Sequence, residues 1–425
     1  MLKLDQLLKN RAYYFNNLQQ ITITMLKPFC FYNRYLIAIL IVFLYNNTHA
    51  QLVLQPHSIA LKKGVQFDIK IPAGYHVSIA AEGMRRLRFL AKSPDNKLFA
   101  TDMYSLADNK KGKIYLFGDW DNTTKTFKTT TTFAEGLHNP NQVMFYNDGG
   151  TNYIYIAETD KLSRYVYHNG DQALKGNAQV LTHFPDYGLG YKYGGWHLTR
   201  SLAQHNGKIY ISVGSSCNAC VEKEAVRATV MEMNPDGTGE KVYASGVRNA
   251  VAIKWVDNKL WGTVMGRDLL GPDKPEDLFE TMEQGRYYGW PWYIQYQQKM
   301  YPDKTMADSA QAKHIKIPAA PPVAYCGFKA HSAPLGFDLF SNFNDLVLRG
   351  KFLVALHGST MVKRQRGNAI VMITGKDKYE EVVSNFLTGI TDKDRNGRPC
   401  DVMMNDANSF FVTDDKNGVL YYIWK

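Results

Sequence analysis

Cysteine, helical periodicity and long apolar runs are all scarce in this chain, and each shortage narrows what the protein can be. Only five cysteines occur in 425 residues; 45% of the residues are hydrophobic and 21% charged. That is ordinary globular composition, with length enough for a large core. Sustained 3.6-residue periodicity is scarce, so the chain does not read as a helical protein. The one apolar run, "LIAILIVFLY" at 36–45, is too short for a comfortable membrane span. No Lys/Arg run interleaved with aromatics is found, which discounts nucleic acid as a partner. "CNAC" at 217–220 is followed by Val221 where a c-type haem site needs histidine.

The apolar run follows Lys27 and Arg34 and precedes "NNTHA". A basic flank, a brief hydrophobic stretch and a small-residue end read as a secretory signal cleaved after Ala50. Met25 then reads as the true start and residues 1–24 as upstream read-through. An uncleaved anchor is the competing reading. Gln51 is not a cysteine, so no lipid anchor is expected at the cleavage site. The protein is expected to be periplasmic or secreted. Residues 1–50 carry five basic side chains and one acidic, so removing them lowers the net charge from +11 to +7. A mildly basic chain suits an anionic small ligand. Cys217, Cys220, Cys326 and Cys400 remain, and four cysteines allow three pairings. A disulfide, local or long-range, is preferred over a structural zinc, which has no second ligand pair.

What the chain does have is aromatics, 27 Tyr and 21 Phe, and a repeat. An apolar β-type stretch, a turn rich in Asn and Gly, and a second apolar strand recur. The copies are "RFLAKSPDNKLFATD" at 88–102, "NQVMFYNDGGTNYIYIAE" at 141–158, "RSLAQHNGKIYISVG" at 200–214, "VAIKWVDNKLWGTVMG" at 251–266, "GFDLFSNFNDLVLRGKFLVALHG" at 336–358 and "CDVMMNDANSFFVTDD" at 400–415. They recur roughly every 55 residues, with one gap of about 90 that holds an insertion around 267–335. Each copy is a β-hairpin, and further strands follow in several, such as 112–118 and 418–424. Six such units predict an all-β, six-bladed β-propeller over 51–425. The early segment 67–83 is expected to complete the last blade and fasten the ring.

Propellers carry function where loops leave the innermost strands. "GGWHLTR" puts His197 three residues before the third repeat, where a neutral imidazole can accept a proton. A hydrogen-bonded structural histidine is the competing reading. Arg248 in "GVRNAV" opens the fourth repeat and Arg398 in "GRPCDV" opens the sixth. Each presents a permanently charged fork, with an inter-blade salt bridge as the alternative. Cations converging on one axis are costly without an anion between them. "MGRDLLGPDKPEDLFE" at 265–280 offers oxygen ligands for a hard cation, although it lacks EF-hand spacing and a solvated acidic loop is the simpler reading. "YYGWPW" at 287–292 and "KAHSAPLGF", with His331, flank the insertion. The aromatics are expected to pack the long loop against the propeller.

Taken in order, "GGWHLTR", "SVGSSCNAC", "MNPDGTGEKVYASGVRNAV", "GRDLLGPDKPEDLF", "YYGWPW", "AHSAPLGF", "GKFLVALHGS" and "GRPCDV" resemble the glucose/sorbosone dehydrogenase family, most closely its sorbosone-type branch. The similarity runs from about Gly74 to Lys425. It implies a sugar or aldehyde dehydrogenase that uses pyrroloquinoline quinone and calcium on a six-bladed propeller. By the same resemblance His197 is the general base at the sugar C1 hydroxyl. Arg248 contacts the quinone oxygens, Asn249 is a neighbouring cofactor contact, and Arg398 binds a cofactor carboxylate. The carbonyls of Gly266 and Arg267 are calcium ligands, and Trp196 and His331 are expected beside the substrate. Where glucose-type members have an acidic residue beside the sugar, this chain has Ser215-Ser216-Cys217, so the resemblance does not carry glucose itself. "TMVKRQR" replaces a Trp-Asn-Arg segment, with Lys363 or Arg364 as the cationic cofactor contact. No haem segment is attached, so a separate quinone or cytochrome acceptor is implied. Two other readings stand beside this one: a propeller without catalysis that binds carbohydrate or a partner, and a metal-dependent lactonase.

Overall fold

The computed structural model describes residues 52–185, 197–359 and 366–425. Residues 54–425 form one compact unit. Six four-stranded antiparallel sheets are arranged as a β-propeller, as the repeat predicts. Blade 1 runs over 87–137, blade 2 over 142–183, blade 3 over 200–245, blade 4 over 250–328 and blade 5 over 334–383. Blade 6 takes three strands from 399–424 and its outer strand, His76–Glu82, from near the other end of the chain. Only part of the early segment closes the ring. Gln66–Pro72 instead pairs with Leu54–Ala60 in a separate hairpin.

Local chemistry explains the hairpins. In blade 3, Arg200–His205 and Lys208–Val213 pair so that His205 faces Lys208, leaving Asn206 and Gly207 as a two-residue turn. Both have positive φ, 46° and 71°. Such a turn matches the right-handed strand twist and favours Asn-Gly. Asp257 and Asn258 play the same part in blade 4, at φ 48° and 58°.

The core lies between blades rather than at the centre. Leu87, Leu98 and Phe117 of blade 1 pack on Phe411, Leu420 and Tyr422 of blade 6. Ile209, Ile211 and Met231 of blade 3 pack on Tyr155 and Leu162 of blade 2. Fully buried rings such as Phe99 anchor these seams, and truncating one costs about 3–5 kcal/mol. Each inner strand touches the next around the axis, from blade 1 to blade 6 and back. The axis itself is polar. Arg88 donates to Asn141 Oδ1 (3.3 Å from Nε), and Asn141 Nδ2 donates to Ser201 Oγ at 3.0 Å, tying blades 1, 2 and 3 together.

The added length falls inside blade 4. Its third strand, Asp277–Met282, and fourth, Cys326–Phe328, both lie within the stretch read as an insertion. The extra chain is therefore 283–325, between these two strands. It holds a small hairpin, Tyr293–Tyr296 with Lys299–Pro302, and helix α1, Lys304–Ala312. Asp303 caps α1 by accepting the Met306 N–H. Trp292 packs on Met306 and Ala310, and Tyr288 and Trp290 are also buried. The "YYGWPW" aromatics thus anchor the long loop, as expected. Among the described residues no helix is long and apolar enough to cross a membrane.

Candidate active site

A cavity lined by both charged and apolar residues opens at one end of the propeller axis. Two kinds of position supply its walls: residues just before an inner strand, and residues just after the second strand, which returns to the same end. His197, Arg248 and Arg398 are of the first kind. Gly266 and His357 are of the second. Asn249, Arg267 and His331 also line the cavity. Seven residues singled out in the sequence therefore meet in one place. Trp196 and Lys363, like Arg364 and the proposed cleavage at Ala50, lie outside the described residues.

His197 sits in the left-handed region at φ 56°, a costly conformation for this residue that clusters at functional sites. Its Nδ1 lies 2.9 Å from the Ser215 carbonyl, which can only accept. Nδ1 therefore carries the proton, and the lone pair resides on Nε2. Ser215 Oγ lies 3.0 Å from the same nitrogen and donates to the Cys217 carbonyl at 2.7 Å. Burial, then the charge of Arg248, holds the imidazole well below its ordinary proton affinity, so it is neutral at pH 7. Gly214 permits this packing. A Cβ there would stand 2.5 Å from His197 Cβ and 2.7 Å from Asn249 Oδ1.

Arg248 is 4% exposed and fixed through its whole fork. Nε donates to the Asn218 carbonyl at 3.0 Å, Nη2 to Asn218 Oδ1 at 2.9 Å and Nη1 to the Gly266 carbonyl at 2.8 Å. The Asp268 carboxylate pairs with Nη2 at 3.8 Å. Cys217 and Cys220 form a disulfide around Asn218, while Cys326 and Cys400 are buried free thiols. The local pairing is the one adopted.

The opposite wall is organised by a carboxylate. Asp415, fully buried, meets Arg88 at 3.1 Å, Arg86 at 3.3 Å and His357 Nε2 at 2.8 Å. Despite its burial, these partners hold it well below the usual carboxylate range. Burial, with Arg398 beside it, pushes His357 down to about 3. Arg398 donates to the carbonyls of His357 and Gly358. Arg395 also adds positive charge near Arg398, and burial helps lower Arg398 to about 10. One buried carboxylate thus serves Arg86, Arg88 and Arg398.

The third side is rich in oxygen. Asp277 accepts N–H bonds from Gly266 at 2.7 Å and Ala333 at 2.8 Å, and burial raises it to about 6. Arg267 is drawn outward to Asp303 at 2.6 Å, which couples the cap of α1 to the cavity wall. His331, at φ 66°, bonds the Gly271 carbonyl through Nε2 at 2.9 Å and lies 3.4 Å from Asp268.

Asp415, His357, Arg88 and Asn218 were not singled out from sequence. For the first three a positional signal was available. His357 and Asp415 each follow directly on a repeated second strand, and Arg88 opens the first repeat. Weighing second-strand ends as heavily as inner-strand starts would have found them.

Fold and site together define a six-bladed propeller with a strongly basic axial cavity beside a neutral histidine. The sequence profile of the Glucose / Sorbosone dehydrogenase family matches residues 91–355, and the chain belongs to that family of sugar oxidoreductases. An uncharacterized protein of Borreliella burgdorferi is 26% identical over 382 residues, covering 84% of this chain and 90% of that one. Among solved structures, the holo pyranose dehydrogenase PQQ domain of Coprinopsis cinerea superposes with a TM-score of 0.67 at 14% identity, covering 86% of this chain and 98% of that one. The calcium structure of the Trichoderma reesei carbohydrate-active enzyme of family AA12 gives 0.66 at 15% identity, over 89% and 99%. At such identities the likeness is one of fold.

Proposed function

We propose that the protein is an exported dehydrogenase that oxidises a sugar, or a sugar-derived aldehyde, at C1, with pyrroloquinoline quinone and calcium. The observation that carries this reading is the meeting of His197, Arg248, Asn249 and Arg398 in one axial cavity.

The donor set fits such a cofactor. A planar quinone with three carboxylates needs concentrated positive charge, and Arg88, Arg248 and Arg398 line the cavity while only Asp415 is buried among the arginines of one wall. Asn249 Oδ1 is buried without a hydrogen-bond partner and adds a polar contact. The carbonyls of Gly266 and Arg267, with Asp268 and Asp277 nearby, are hard oxygen donors of the kind calcium takes. When bound, the quinone supplies a two-electron acceptor for hydride and calcium a Lewis acid.

The chain's own task is to hold the reactants and move a proton. His197 Nε2 takes the proton of the C1 hydroxyl as the hydride leaves that carbon. The Ser215 carbonyl keeps the required tautomer throughout. Arg248 discourages protonation of His197 in the bare cavity, and an anion beside Arg248 offsets that effect. Arg248 and Arg398 hold the cofactor's oxygens, with Lys363 as a further cationic contact. Trp196 and His331 bound the sugar. Electrons pass on to a separate quinone or cytochrome. The disulfide suits an oxidising compartment outside the cytosol.

The test uses the full chain with added quinone cofactor and calcium. Cofactor binding is followed by calorimetry, and dye reduction is followed with aldoses, sorbosone and simple aldehydes. Binding and turnover are expected. His197→Ala should keep binding and lose about 10²–10⁴-fold in kcat. A chain that binds no cofactor sinks the reading, and one that binds sugar without dye reduction is the non-catalytic propeller instead.

A further inference from the structure

We propose that Asn218, inside the disulfide-closed loop Cys217–Cys220, is the positioning residue for Arg248, and that this loop sets Arg248 and His197 in register. The inference deepens the proposed function and rests on that reading for its catalytic meaning.

The geometry is unusually complete for one neutral side chain. Asn218 meets Arg248 twice, through its backbone carbonyl (3.0 Å from Nε) and through Oδ1 (2.9 Å from Nη2). Oδ1 also accepts the Asp268 N–H at 2.8 Å, while Nδ2 donates to the Asp268 carbonyl at 3.0 Å. Donors on one side and an acceptor on the other leave a single sensible orientation of the amide. The Asn218 carbonyl takes a further bond from Trp290 Nε1 at 3.2 Å. One residue therefore ties together the strand start at 248, the cavity loop at 268 and the inserted aromatic segment at 290.

The same short loop reaches the histidine. Ser215 faces His197 Nδ1 with both its carbonyl and its hydroxyl, and the hydroxyl is anchored on the Cys217 carbonyl at 2.7 Å. Residues 216–220 have no regular secondary structure and are only partly buried. Backbone of that kind wanders unless something constrains it. Here the cross-link between Cys217 and Cys220 closes the loop, and the Ser216 N–H bonded to Glu222 at 2.7 Å supports its base. The choice of acceptors matters as well. A carboxylate at position 218 would fix Arg248 equally well but would cancel its charge. A neutral amide and two carbonyls hold the guanidinium without adding negative charge of their own.

Two measurements test this. The first needs no cofactor. The Arg248 Nε–H should give a slowly exchanging nitrogen–proton resonance, assigned by its loss in Arg248→Lys. Asn218→Ala keeps the carbonyl that accepts from Nε but deletes Oδ1, so the Nη2 protons, followed in the same way, should exchange at least tenfold faster, and Cys217→Ser with Cys220→Ser should speed exchange by a smaller factor. Unchanged exchange in Asn218→Ala overturns the positioning role; unchanged exchange in the double serine variant overturns the role of the loop. The second is the calorimetric Kd for pyrroloquinoline quinone with calcium. Asn218→Ala should weaken it about 10- to 100-fold in the native background and less than about twofold in Arg248→Lys, because the residue acts through the fork that lysine lacks. Equal loss in both backgrounds marks a general structural effect and overturns the proposal. If the native chain binds no cofactor, the functional reading fails while the exchange measurement still decides the role of Asn218.

Discussion

The two walls of the cavity immobilise similar cations by opposite means. On the blade 3–4 side, Arg248 is held by carbonyls and an amide, with Asp268 at 3.8 Å, and His197 bonds a carbonyl. On the side of blades 5, 6 and 1, Arg88 and His357 lie against Asp415 directly, at 3.1 and 2.8 Å. The first wall fixes its cation largely through neutral acceptors, and the Ser215 carbonyl sets the tautomer of its histidine. The second cancels part of its charge, and its histidine turns Nε2 to a carboxylate. Two histidines of one cavity, both lowered by burial and a neighbouring arginine, are thereby given different partners. The group facing the ring, a carbonyl at His197 Nδ1 and a carboxylate at His357 Nε2, distinguishes the candidate base from the structural histidine.

The largest expected effect breaks the carboxylate wall. Asp415→Asn keeps the shape but leaves Arg86 and Arg88 facing a neutral group. Stability in urea should fall by about 3–5 kcal/mol, since removing one partner of a buried pair strands the others. A loss under about 1 kcal/mol would mean that the two walls are not different in kind. On the other wall Gly214→Ala should cost about 1–3 kcal/mol, because its Cβ would collide with His197 and Asn249. Turnover should fall with it, and unaltered kcat would show that His197 has room to move.

A further effect is one of pH. His357 is lowered from 6.5 to about 3, so between those values the unfolded chain binds a proton that the folded chain refuses. Stability is therefore lost as pH falls through that window. Asp415, held below 3.8, adds its own loss only in stronger acid. His357→Gln should flatten the decline of Tm between pH 6.5 and 3. An unchanged slope would assign the decline to other groups, His197 among them.

Much of this was legible in the sequence, for identifiable reasons. Asn206-Gly207 and Asp257-Asn258 announce hairpins because few other pairs accept two positive φ values. Repeated hairpins give the ring, and strand starts give His197, Arg248 and Arg398. Asp415 was hidden because its meaning depends on Arg88, which arrives from the other end of the chain. Asn218 was hidden because a lone asparagine in a cysteine-bounded loop carries no periodicity. The far edge of the insertion was misjudged because the fourth strand of blade 4, Cys326–Phe328, has only three residues.

The ring closes by pairing His76–Glu82 with Val419–Trp424. During synthesis that zipper stays open until the final strand has left the ribosome. Arg398 and Asp415 belong to the same late blade, and Arg88 to the blade beside it. Sealing the circle and assembling the carboxylate-centred wall are thus a single event. A nascent or truncated chain that lacks the last blade therefore lacks the wall built on Asp415 and Arg398.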